Sequence, residues 1–180
     1  MNYPEELLQH AWMLVARAWK DEPSHPRAFD DEVVAANLRR AVSAAYYALF
    51  HQITMDAVGL IAPNVPASTN HRIQRWFNHT EMKAICVRFV PEKLERPLRD
   101  LIGESASPDL QTVARNFIQL QNARHRADYD LSYDLTWDDA YELLELASEG
   151  VKAWQHIQGS AEANVFILSQ LMWKNWERER

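Results

Sequence analysis

Apolar side chains recur along this chain at spacings of three and four, the pattern of amphipathic helices, and no segment alternates with the period of two expected of a strand. The first helix is predicted to begin near Pro4, since a proline in the first turn lacks only an N–H that has no intrahelical partner anyway. Leu7, Leu8, Ala11, Trp12, Leu14, Val15, Ala18 and Trp19 continue it. Pro23 and Pro26 then mark a loop. From about Asp30 to Val58 neither proline nor an internal glycine interrupts a second helix. Its stripe is Ala35, Leu38, Val42, Ala45, Tyr46, Leu49 and Ile53. The opposite side carries Arg40, Ala44, Tyr47 and His51, too apolar for a plain solvent face. Two explanations fit it: a helix in the middle of a bundle, or a dimer face or polar cleft.

Gly59 to Ala67, with Pro63 and Pro66, reads as a connection. Ser68, Thr69 or Asn70 is positioned to cap the segment HRIQRWFN, and Thr80 to cap EMKAICVRF, giving one bent helix or two short ones. Pro91, Pro97 and Gly103 leave only short helical turns in the next stretch. Ser107, Pro108 and Asp109 supply a cap, a first-turn proline and an early carboxylate, so a long helix is expected from Pro108 to about Tyr129. Thr136, Trp137, Asp138 and Asp139 repeat that signal for a helix reaching Gln158, with Gly150 inside it and Gly159 at its end. The last segment, AEANVFILSQLMWKNWERER, is helical and apolar on more than one side, so it needs a partner in the bundle or in a second chain. The expectation is an all-α fold of four to five main helices over residues 1–158, plus a C-terminal helix over 159–180 that serves as a packing or dimerisation arm.

Composition agrees: among 180 residues only 4 are Gly and 47% are apolar, enough for a substantial core. A net charge of −6 argues against nucleic acid attracted by the molecule as a whole and leaves room for a local basic patch. The single Cys86 suits a reducing compartment and sits in an apolar stretch, more in keeping with a small core residue than a nucleophile. The N-terminus lacks the pattern of a secretory signal and no run of about 18 apolar residues occurs, so a cytoplasmic location without membrane contact is expected. Four glycines leave no glycine-rich phosphate loop, no cofactor is expected, and His51, His71 and His79 show no metal-binding spacing, so no metal is expected either.

One constellation calls for a chemical account. The core stripe of the Pro108 helix is Leu110, Val113, Phe117, Leu120 and Ala127, and its continuation brings Gln121, Arg124 and Asp128 onto or beside it. Polar groups there cost roughly 1–3 kcal/mol each unless paired or wet. Arg124 and Asp128, four residues apart, either bridge each other to fix how helices meet or line a polar site where Arg124 takes an anion such as an RNA phosphate. His125 and Arg126 fall off the stripe and are expected in solvent. Arg39, Arg40, Arg72, Arg75, Arg124 and Arg126 are the basic residues able to converge on such a site.

Residues 39–51, with the pattern R-A-x-S-x-x-Y-Y-A-x-F, and residues 121–130, ending R-x-x-A-D-Y-D, resemble uncharacterised bacterial HEPN-domain proteins. RWFNHTEMK (75–83) and the Thr136 helix add to the resemblance, which covers about residues 30–158. It implies an up-and-down bundle of four or five helices, commonly homodimeric. Many relatives are metal-independent ribonucleases of toxin–antitoxin, CRISPR or RNA-processing systems, often encoded beside a small nucleotidyltransferase. Their motif is Arg followed after four to six residues by His, the Arg stabilising phosphate and the His moving a proton. Here Arg124 leads to Tyr129, whose ordinary pKa near 10 makes a poor general base. Arg72 and His79 satisfy the bare spacing, in an earlier helix.

Three functions follow as expectations. The first is a HEPN-like interaction protein binding a nucleotide or RNA through Arg124, Asp128, Gln121, Arg40, Tyr47 and His51, without an intact nuclease motif. The second is a toxin ribonuclease using Arg124 with Tyr129, or with a His supplied by the fold, and a nucleotidyltransferase antitoxin as partner. The third is a structural subunit docking through its C-terminal helix.

Overall fold

The computed structural model describes residues 2–18 and 31–178, and every described element is helical. Trp19, the Pro23–Pro26 loop and Asp30 lie outside the described residues. Five long helices, α1 (Tyr3–Ala18), α2 (Asp31–Ile61), α6 (Pro108–Tyr129), α7 (Trp137–Ile157) and α8 (Ala161–Arg178), are joined by shorter α3 (Ala67–Gln74), α4 (His79–Phe89) and α5 (Arg96–Ile102).

The start signals work through the expected atoms at α6 and α7. Ser107 Oγ accepts from the Leu110 N–H, and Thr136 and Asp139 form a reciprocal capping box. Elsewhere the caps shift. Asn2 and Glu5 exchange side-chain and backbone bonds at the start of α1. Asn78, not Thr80, caps α4 by accepting from the Thr80 and Glu81 amides. Pro66 precedes α3 without a side-chain cap, so the Ser68–Asn70 segment falls inside that helix. Of the two readings of this region, two short helices is the observed one. The connection expected from Gly59 begins later: α2 runs through Gly59 to Ile61, where one glycine costs only about 1 kcal/mol in an otherwise cooperative helix.

α2 is the middle helix, packed against α1, α6 and α7, which accounts for its second apolar side. Paired contacts fix the directions. Arg39 near the start of α2 reaches the end of α6, Asp56 near its end reaches Trp154 and Gln158 at the end of α7, and Trp137 at the start of α7 donates to the carbonyl of Val15 at the end of α1. The four helices therefore alternate in direction. Leu38, Val42, Ala45, Tyr46, Leu49 and Ile53 are buried as patterned, as are Leu110, Val113, Phe117, Leu120 and Ala127; Ala35 is exposed. Gly150 lets α7 come close to α2: a Cβ there would stand 3.0 Å from Leu49 Cδ2 and 3.5 Å from Asn116 Cβ. Gly159 ends α7 with φ +78°, a conformation that favours glycine.

α8 folds back on its own chain. Phe166 packs against Phe89 and Trp154, Trp173 is buried beneath the Arg88 guanidinium, and Lys174 pairs with Glu81. Cys86 is fully buried, and burial pushes its thiol pKa up. No helix among the described residues is long and apolar enough to cross a membrane.

Candidate functional site

Where the first turns of α2 lie beside the last turn of α6, a cleft of about 510 Å³ opens. Arg39, Arg40, Ser43 and Tyr47 line it from α2, and Arg124, Ala127, Asp128 and Tyr129 from α6, with Leu131 at its rim. Helical spacing creates the α2 wall, because positions 36, 40, 43 and 47 share one face.

Arg124 and Asp128 are not solvated freely: their side chains are 17% and 25% exposed, with Nε 2.7 Å from Oδ2. Arg124 Nε makes no aligned hydrogen bond, so the contact is ionic rather than directional. Nη2 donates to Tyr47 Oη at 2.8 Å, and Ser43 Oγ donates to the other Asp128 oxygen at 2.5 Å. The Arg124 guanidinium also lies 5.4 Å from the Tyr47 ring and 5.6 Å from the Tyr129 ring. Neither Arg124 Nη1 nor the exposed Arg40 has an acceptor among the described residues.

Arg39 has a different task. Its fork donates to the carbonyls of Ala127 (2.8 Å), Asp130 (2.9 Å) and Tyr133 (2.6 Å), closing the end of α6, where backbone acceptors lack helical partners. The planar guanidinium thus sets the position of Asp128 while adding a fixed positive charge to the cleft wall.

Behind Tyr47 lies an aromatic and imidazole cluster. The Tyr47 ring stacks on His51 at 5.9 Å and meets the His79 ring edge-on at 5.9 Å. His79 packs 4.4 Å from Phe50, and its Nδ1 stands 2.6 Å from Tyr46 Oη. Burial, then the neighbouring Tyr47, pushes the Tyr46 phenol far up, so it stays protonated. Burial, then the Arg124 charge, lowers the His79 pKa, and burial, then His79, lowers that of His51. A phenol donating to Nδ1 of a neutral imidazole satisfies both groups and leaves the imidazole proton on Nε2. Gln121 donates to the His79 carbonyl and thereby ties the start of α4 to α6.

Of the residues expected to bind, Arg124, Asp128, Arg40 and Tyr47 meet in the cleft. Gln121 and His51 stand outside its lining, behind Tyr47. Tyr129 is at the rim, exposed, with His125 against its ring. The six arginines do not converge on one site: Arg126 lies over the Tyr133 ring in a separate groove between α6 and α7, and Arg72 and Arg75 are on or beside α3. Sequence reasoning missed Ser43, one turn from both Arg39 and Tyr47, and it missed His79 as a neighbour of Arg124. No three His, Cys, Asp or Glu side chains are grouped to hold a metal ion among the described residues. No protein-family model matches the chain, and no curated protein or solved structure matches it either.

Proposed function

We propose that this chain is a HEPN-like helical bundle whose α2–α6 cleft binds the phosphate of a nucleotide or of RNA, acting by interaction and without the Arg–His motif of that family's nucleases. One observation carries the reading: three arginines face a single aspartate in a cleft of about 510 Å³, on a chain whose net charge is −6. Arg40 and Arg124 Nη1 offer donors without acceptors among the described residues, and Arg124 is pre-oriented by Tyr47. Asp128 holds Arg124 until an incoming anion takes its place, so affinity is reduced by that competition. Exposed Tyr129 and Leu131 at the rim, with exposed Val33 two turns before Arg40 on α2, support pairing of two copies across the cleft. A nucleotidyltransferase remains the partner that the family resemblance suggests.

Titration calorimetry with AMP tests the reading. Saturable binding is expected, weakened about 10-fold or more by Arg124→Ala and by Arg40→Ala, since each removes a charge-assisted contact of about 1.5–3 kcal/mol. Absence of heat at millimolar AMP would overturn it. Light scattering reports whether the chain pairs.

His79 supports a second reading, a metal-independent ribonuclease. It brings a neutral imidazole near Arg124, whose Nδ1 accepts a proton, as Tyr129 does not at neutral pH, once the Tyr46 hydroxyl is displaced from it. Cleavage of RNA by the purified chain in chelator, abolished by Arg124→Ala and by His79→Ala, is its signature. Intact RNA and harmless expression would exclude it.

A further inference from the structure

Between Asp56 and Glu81 the chain contains no acidic residue, although Asp and Glu together number 25 in the molecule. The stretch includes α3 and the turn into α4. Ile73 and Phe77, four apart, are buried and anchor it to the core. Arg72 on α3, and Arg75 and Trp76 in the turn that follows it, are all exposed. Trp76 is 58% exposed, and neither its ring nor its indole N–H has a partner among the described residues. Arg72 and Arg75 have no carboxylate partner there either.

An exposed indole next to Arg75 and four residues after Arg72, in a stretch with no acid from residue 57 to residue 80, is suited to a ligand that is both flat and anionic. Unpaired bases are flat and sequence-tolerant stacking partners, and each carries a phosphate. Trp76 lies three residues before His79, so their Cα atoms are at most about 11 Å apart. His79 in turn meets Tyr47, which lines the cleft. His79 and Tyr47 therefore link the stacking surface to the cleft, a span that a strand of several nucleotides can cover.

We infer that Trp76, with Arg72 and Arg75 preceding it on the same stretch, is a base-stacking site for single-stranded nucleic acid, extending the phosphate cleft so that the ligand is a strand rather than a mononucleotide. The inference rests on the phosphate-binding reading of the cleft for the strand's second point of attachment, while the stacking site itself is carried by α3 and the turn after it. An acidic protein would satisfy the arginines and leave the indole without use.

Fluorescence anisotropy at low salt with a labelled 12-nucleotide oligouridylate, and with its deoxy counterpart, tests this on the full chain. Trp76→Ala is expected to weaken 12-mer binding roughly 5-fold to 100-fold, the range for loss of one base–aromatic stack. Trp76→Phe should restore most of the loss, and calorimetric AMP binding should be the same in both variants. Being exposed, position 76 tolerates these changes, which equal melting temperatures would verify. The two oligomers show whether a 2′-hydroxyl is recognised; stacking requires only that at least one of them bind in a Trp76-dependent way.

If AMP binds and Trp76→Ala leaves the 12-mer unaffected, the stacking site is refuted and the cleft reading stands. If the 12-mer binds in a Trp76-dependent way and AMP does not bind, the cleft reading fails and the stacking site stands. Polyglutamate competing as well as the oligomer would reduce the strip to a general anion surface and overturn the assignment.

Discussion

His79 shows how one side chain acquires its properties from three helices. Tyr46 and Phe50 on α2, Tyr47 beside them and Arg124 on α6 enclose an imidazole carried by α4. Burial and then the Arg124 charge place its pKa below the ordinary 6.5, and burial and then His79 do the same for His51. A histidine depressed in the folded state binds fewer protons than the unfolded chain between the two pKa values. Its contribution to stability is whole above about pH 6.5 and is lost as pH falls through the folded value. The melting temperature is therefore expected to drop between about pH 7.5 and pH 5, and His79→Gln should flatten that drop. Equal pH profiles for the two proteins would show that His79 is not held neutral by its surroundings. Asp130 and Asp139, lowered mainly by bonds from Ser132 and Thr136, act only at more acidic pH and do not blur this window.

At the scale of elements, the close approach of α2 and α7 depends on a missing side chain. Gly150 is buried inside α7, where alanine would be the better helix former by about 1 kcal/mol. Leu49 and Asn116 occupy the space a side chain would need. Gly150→Leu is expected to destabilise the protein by about 1–3 kcal/mol through overpacking, seen as a lower denaturant midpoint with unchanged slope. A neutral result would mean that the two helices can separate freely. The same elements separate what was legible in the sequence from what was not. Ser107 and Thr136 announce α6 and α7 because capping is local chemistry, settled within four residues. Asn78 was harder to identify, since Thr80 two positions later is an equally good cap and only the backbone turn chooses between them. By sequence Arg39 groups with the arginines able to converge on an anion site, and its bracing of α6 was not legible, for its three carbonyl partners are about 90 residues away in sequence.

For the molecule as a whole, α8 is part of the core and not an appendage. Phe166, Ile167 and Trp173 are buried in the same cluster as Phe89, Leu98 and Trp154. Deleting residues 159–180 strips that cluster of its cover, and each large apolar side chain exposed costs about 1.5–3 kcal/mol. A shortened chain ending at 158 is therefore expected to lose its cooperative melting transition and to aggregate, as circular dichroism and light scattering would report. A well-folded 1–158 fragment would instead make α8 a removable arm, available for docking on a partner. The acidic total charge acts at this scale too. It repels nucleic acid at long range, so binding would have to be local to the cleft and α3, and to weaken as salt is raised.

Periodicity, proline and capping residues were enough to determine that the described elements are helices, where the long ones lie, and that Gln121, Arg124 and Asp128 fall on or beside an apolar stripe. These are local properties, decided by neighbours within a turn or two. Tertiary structure alone decided that α8 closes on its own bundle, that Arg39 braces the end of α6, that Arg72 and Arg75 stand apart from the cleft, and that His79 approaches Arg124. Each of those contacts joins segments far apart in sequence, and their formation is governed by how whole helix faces pack, a quantity that no short stretch of residues contains.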